Sequence, residues 1–255
     1  MFPIRDDNPT LGTSVATFVL IGLNVASWGW IQGFGAEPKL SDSVCRLGAI
    51  VGELLGTVPA GTRIPMGSGS VCVITSAPAW YTPITSMFMH GGWFHLIGNL
   101  WFLSIFGDNV EDSMGHARFV AFYLLCGLAA VAAQALSDPA AAVPLVGASG
   151  AIGGVMGAYA VLYPRVSVHM LVVLGFFITT IEVPAVLMLG YWLLLQIIGG
   201  IPALQGAAGG VAFWAHVGGF AAGIALIPLF RDPARVAAQR LHLARHTAPD
   251  RKSVV

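Results

Sequence analysis

Charged side chains are scarce in this chain. Asp, Glu, Lys and Arg make up 9% of its 255 residues, against 56% hydrophobic residues. A soluble domain carries about 25% charged residues, so the shortage excludes an ordinary water-soluble globule and points to a chain solvated by lipid. The charges that are present cancel, 12 basic against 12 acidic. Without a basic excess nothing points to nucleic acid as a partner, and the basic residues inform through their placement. Cysteine is sparse too, with three in all. Cys126 falls in an apolar run and reads as a small packing residue. Cys45 and Cys72 share one long loop, where they either form a disulfide, if that loop faces an oxidising compartment, or remain unpaired thiols. The chain also lacks a His-Glu-x-x-His helix, which excludes the usual metal-dependent protease. His90 and His95, five apart, are poorly spaced for one helical face. No internal repeat is visible, which argues against a transporter built from repeats. No cleavable signal peptide is evident, so the first apolar run reads as a membrane helix.

Apolar runs are abundant. A spanning helix needs about 20 mostly apolar residues, and six candidates lie at roughly 11–34, 93–110, 117–136, 145–163, 183–200 and 210–230. An even count puts both termini on one side. That side receives Arg5, Arg118, Arg165, Arg231, Arg235, Arg240, Arg245, Arg251 and Lys252; the other receives Lys39, Arg46 and Arg63. Positive residues favour the cytoplasm, so the termini are expected inside and the first loop, about 35–80, outside. The expected class is an all-α, six-helix membrane bundle over 1–230 followed by a basic tail, 231–255, that is either a surface helix or disordered. Within the first loop, Leu47 to Val58 is apolar enough to lie in the membrane interface. The stretch 166–182 is apolar but is followed by Glu182 and Pro184; it reads as a surface-lying or re-entrant segment.

Polar residues inside these runs are expensive and mark candidate sites. Ser149 follows Pro144 and Gly147 at the expected start of a helix, where free backbone N–H groups favour an anion. His216 lies in the last run beside Gly218, Gly219 and Gly223. Gly150, Gly153, Gly154 and Gly157 give the Ser149 run a matching small-residue face. Two such faces would bring the backbones close, and a serine and an imidazole on them would form a nucleophile–base pair. His95 and Asn99, four apart, share a face and read either as donors for a developing oxyanion or as polar bonds between helices. No aspartate is placed to orient His216, so a dyad is expected.

These pieces resemble a known family. His90-Gly91-Gly92-Trp93-Phe94-His95-Leu96-Ile97-Gly98-Asn99, Gly147-Ala148-Ser149-Gly150 and Ala215-His216-Val217-Gly218-Gly219 look like the rhomboid intramembrane serine proteases, as do Phe106 to Asp112 and Phe122 to Gly127. The likeness runs in the family's order from about Tyr81 to Leu229. It implies Ser149 as nucleophile, His216 as general base, and His95, Asn99 and backbone amides at Ser149 and Gly150 around the oxyanion. It also implies a first loop partly in the outer leaflet, a loop before the last helix that caps the site, and no metal or cofactor. The implied partners are the lipid bilayer and transmembrane segments of other proteins, cut near the outer boundary of what would be a bacterial cytoplasmic membrane. A homo-oligomer is left open. Two positions depart from the family: Gly153 stands where many members carry an aromatic beside the base, and Ala79-Trp80-Tyr81 lacks the arginine of their Trp-Arg pair. The rival readings are a catalytically silent binder of membrane clients and a small-solute transporter.

Overall fold

The computed structural model of the chain describes residues 2–66, 69–204 and 211–247. A short strand β1 (Phe2–Asp6) precedes α1 (Val15–Ala26), which widens into a π-helical turn at Ser27–Ile31. The first loop holds α2 (Lys39–Leu47), α3 (Val51–Leu54), a hairpin of β2 (Arg63–Pro65) and β3 (Val71–Val73), and α4 (Thr82–Thr85). Then come α5 (Trp93–Met114), α6 (His116–Ser137) and α7 (Ser149–Leu162). A second hairpin, β4 (Ser167–Leu174) and β5 (Phe177–Pro184), leads to α8 (Ala185–Leu204), α9 (Phe213–Phe230) and α10 (Pro233–Thr247).

Each of the six predicted segments holds a helix. Among the described residues, three helices are long and apolar enough to cross a bilayer: His116–Ser137, Ala185–Pro202 and Phe213–Phe230. Val15–Ile31 and Ser149–Leu162 are apolar but shorter, and α5 carries Asp108, Glu111 and Asp112 near its end.

The all-α expectation needs correcting. The protein is mostly helical, but 166–182 is neither re-entrant nor helical. It forms the β4–β5 hairpin, closed by a two-residue turn between the paired Leu174 and Phe177, and β1 adds to β4 as a third antiparallel strand. Gly175 opens that turn with φ +61, the sign a type II′ turn requires of its first residue. Within 47–58, Ala49, Ile50 and Leu54 are buried against Val131, Leu145, Cys72 and Ile74, while Leu55 is exposed. Cys45 and Cys72 form a disulfide with Cα atoms 5.5 Å apart. The tail forms α10 through Thr247; Arg251 and Lys252 lie outside the described residues.

At the centre is α7, buried on every face from Gly150 to Tyr159, as expected of a helix apolar all round. It packs on α9 through glycines. A Cβ on Gly219 would meet the Gly150 carbonyl oxygen at 1.9 Å, and one on Gly223 would meet that of Gly154 at 1.9 Å. Only glycine permits this approach.

Two ends of the molecule are distinct. At one, β1 pairs with β4, Asp7 Oδ1 accepts from His169 Nε2 (2.8 Å), Tyr163 Oη donates to the Asn109 carbonyl (3.2 Å), and the Asp232 N–H donates to Ser113 (2.8 Å). Here Glu111, buried at the end of α5, accepts the N–H groups of Ala16 and Thr17 at 2.8 and 2.7 Å. It thereby caps α1, whose own Ser14 makes no side-chain cap, and places a carboxylate at a helix N-terminus. At the other end, the first loop grips the segment between α6 and α7: Ala49 and Leu145 exchange backbone bonds at 2.8 and 2.9 Å, and the Gly52 N–H donates to Ala141 at 2.9 Å.

Candidate active site

Ser149 is the first residue of α7. The turn leading to it is pinned: the Gly147 N–H donates to the Ser86 carbonyl at 2.9 Å, and Gly147 has φ +117, a conformation open mainly to glycine. The helical ladder begins with the Ile152 N–H on the Ala148 carbonyl at 2.9 Å. The preceding N–H groups, Ser149 to Ala151, are the orphan donors of a helix N-terminus and point out of it.

His216 reaches Ser149 from α9. Its Nε2 lies 2.8 Å from Ser149 Oγ, a hydrogen bond of normal length. The glycine contacts between α7 and α9 set this distance, since Gly150 and Gly219 are one and three residues from the two side chains. On the other ring nitrogen, Nδ1 lies 2.8 Å from Gln196 Oε1 on α8. The Trp192 ring, also on α8, lies 5.9 Å from the imidazole, inclined by 39°. It occupies the flank that an aromatic at position 153 would otherwise cover. A Cβ at Gly153 would sit 3.0 Å from the His216 carbonyl oxygen, so this packing leaves little room for any side chain there.

His95 and Asn99 approach from α5. A Cβ on Gly147 would meet His95 Nε2 at 2.5 Å and Asn99 Nδ2 at 3.4 Å, so both donors face the backbone just before Ser149. Asn99 is buried, and its Nδ2 has no hydrogen-bond partner among the described residues. A cavity of about 620 Å³ opens over the group, lined by His95, Gly147, Ser149, Gly150 and His216. Asn99 is not among the residues that line it. His90 packs edge-on against His95, ring centres 5.2 Å apart. Burial, and secondarily His95, pushes the His90 imidazole down to about 3, so it stays neutral. Its backbone is held at both ends by Gln32, at 2.7 and 2.8 Å. Among the described residues no cluster of His, Cys, Asp and Glu is arranged to hold a metal ion.

All five predicted site residues, Ser149, His216, His95, Asn99 and Gly150, therefore converge at one place. Sequence reading missed Gln196 and Trp192. The available signal was a lone amide inside the apolar run 185–201, one turn after a tryptophan. Residues 205–210, in the loop expected to cap the site, lie outside the described residues.

Comparison with known proteins bears on the family. The family model described as Rhomboid domain matches residues 77–233, more than half of the chain. Rhomboid-like protein 11, chloroplastic, of Arabidopsis thaliana is 42% identical over 88 residues, 34% of this chain and 31% of that protein. RHOMBOID-like protein 5 of the same plant is 36% identical over 75 residues, 29% of this chain and 24% of its own length. The Bacillus subtilis (strain 168) candidate rhomboid protease YdcA is 35% identical over 80 residues, 31% of this chain and 40% of that protein. The chain thus spans well under half the length of each. It belongs to the rhomboid family, and with three helices of spanning length it is an integral membrane protein.

Proposed function

We propose that this protein is an intramembrane serine protease that cleaves transmembrane segments of other proteins near the outer membrane boundary. The observation that carries the reading is the 2.8 Å contact between Ser149 Oγ and His216 Nε2 at the open N-terminus of α7. His216 takes the Ser149 proton as the oxygen attacks the scissile carbonyl. The carbonyl oxygen becomes an oxyanion, held by His95, Asn99 and the N–H groups of Ser149 and Gly150. His216 then passes the proton to the leaving amine, which departs as the new N-terminus and leaves an acyl-serine. Water entering through the cavity, activated by the same imidazole, releases the acid. A helical carbonyl is shielded by its own hydrogen bond, so the substrate must unwind locally, and helix-breaking residues at the cut lower that cost. No step draws on a cofactor.

The topology that fits is six spans. The N-terminus, the α5–α6 turn, the β4–β5 hairpin and α10 gather at one end, and the first loop and Ser149 at the other. The basic residues collect at the first of these ends, which we place in the cytoplasm of a bacterium. A disulfide in the first loop suits the oxidising side.

The test is a panel of tagged single-span proteins in proteoliposomes, wild type beside Ser149→Ala, with the cut mapped by mass spectrometry. Ser149→Ala should fold normally and leave every reporter whole; continued cutting ends the proposal. Fluorophosphonate labelling of Ser149 separates a protease from a silent binder.

A further inference from the structure

We propose that Gln196 is the positioning residue of the Ser149–His216 pair, fixing the tautomer and plane of the imidazole; this rests on the protease reading above.

Gln196 Nε2 donates to the Trp192 backbone carbonyl, one turn earlier on α8, at 3.3 Å. A carbonyl oxygen only accepts, so the amide nitrogen is committed to it and Oε1 faces the other way. Oε1 lies 2.8 Å from His216 Nδ1 and can only accept, so Nδ1 carries the hydrogen. In a neutral imidazole Nε2 then holds the lone pair, and Nε2 is the nitrogen 2.8 Å from Ser149 Oγ. That is the tautomer a general base needs; the opposite one would present an N–H to the serine and could not take its proton. Trp192 closes the flank of the ring, so one helix turn supplies both the acceptor and the wall. When His216 becomes positively charged, the Nδ1–H bond to Oε1 strengthens.

An amide suits this depth better than a carboxylate. Gln196 is the one amide among the apolar residues of α8 from Ala185 to Ile201, and a carboxylate would carry a charge into a medium where charges are expensive. An amide oxygen accepts the same hydrogen without that penalty, and gives up the Coulombic support for the imidazolium. The groups facing His216 are then Gln196 from α8, Ser149 from α7 and, as the other titratable ring, His95 from α5.

The experiment uses the full-length protein in proteoliposomes with a single-span reporter that the wild type cuts. Kcat, KM and the acidic limb of the kcat/KM pH profile are measured for Gln196→Leu and Gln196→Glu. Gln196→Leu should lower kcat about 10- to 100-fold with KM within about two-fold, and slow fluorophosphonate labelling equally, while thermal unfolding stays near the wild type; loss of one orienting partner is of this order. Gln196→Glu keeps the acceptor, should recover most of the activity, and should move the acidic limb to higher pH because a carboxylate favours the charged imidazole. An unchanged kcat in Gln196→Leu, or a loss in it that Glu does not recover, overturns the proposal. If Gln196→Leu does not fold, Gln196→Glu decides: an acidic limb at the wild-type position overturns it. Ser149→Ala in the same assay separates the two ideas. Cutting by that variant sinks the protease reading itself, whereas its silence beside a fully active Gln196→Leu sinks only the role of Gln196.

Discussion

Asn99 places a buried donor with no partner toward the backbone that precedes Ser149. A buried unpaired amide costs about 1–3 kcal/mol, a cost that makes sense where negative charge develops during reaction. Asn99→Ala should therefore lower kcat by about 10²-fold and barely move KM; a wild-type rate in the reporter assay removes it from the oxyanion role. A second residue-scale expectation concerns Asp6. Its carboxylate accepts from Tyr159 Oη, and burial raises its pKa to about 6 against an unfolded value of 3.8. The folded protein then binds the proton more tightly than the unfolded chain. The resulting stabilisation is complete below about pH 4 and is lost as pH rises through about 6. Asp6→Asn keeps an acceptor but does not titrate, so the midpoint of thermal unfolding should fall less between pH 4 and 7 in the variant than in the wild type. Equal slopes would refute this.

At the scale of elements, the α7–α9 contact is the joint on which the site depends. A side chain on Gly219 has no space, since its Cβ would lie 1.9 Å from the Gly150 carbonyl oxygen. Overpacking costs typically about 1–3 kcal/mol, and here it also separates the two backbones. Gly219→Val should lower thermal stability and abolish fluorophosphonate labelling of Ser149, whereas Gly190→Ala, with open space at its Cβ, should do neither. These helices were legible because Gly150, Gly153, Gly154, Gly157, Gly219 and Gly223 recur at helical spacing. The β4–β5 hairpin was not, because periodicity alone does not tell a short, mostly apolar run as strand or helix. The telling features were β-branched enrichment, Ile178-Thr179-Thr180-Ile181 above all, and Gly175 at the centre of the run. The short strand β1 had no local signal; it exists because β4 offers an edge.

For the whole molecule, the first loop is a built unit. It is closed by Cys45–Cys72 across 27 positions and fixed to the α6–α7 segment at Ala49 and Gly52. Opening a loop of that size costs on the order of 3 kcal/mol. Cys45→Ser and Cys72→Ser should lower the unfolding midpoint to a similar degree, and the double variant no further. An additive loss would mean that the two residues act separately. The family model begins at residue 77, so α1 and most of this loop precede the matched residues.

The sequence by itself determined the membrane setting, the positions of the helices and the chemistry available, since these follow from composition, run length and the rarity of polar groups in apolar runs. It also brought Ser149, His216, His95 and Asn99 forward as one constellation through their motifs. Only the tertiary structure decided that Asn99 is buried beside Gly147, that Glu111 caps a helix about 95 residues away, and that Gln196 and Trp192 flank His216. Each of these joins residues distant in the chain, and the distance between them is set by how closely the helices pack, which no local pattern encodes.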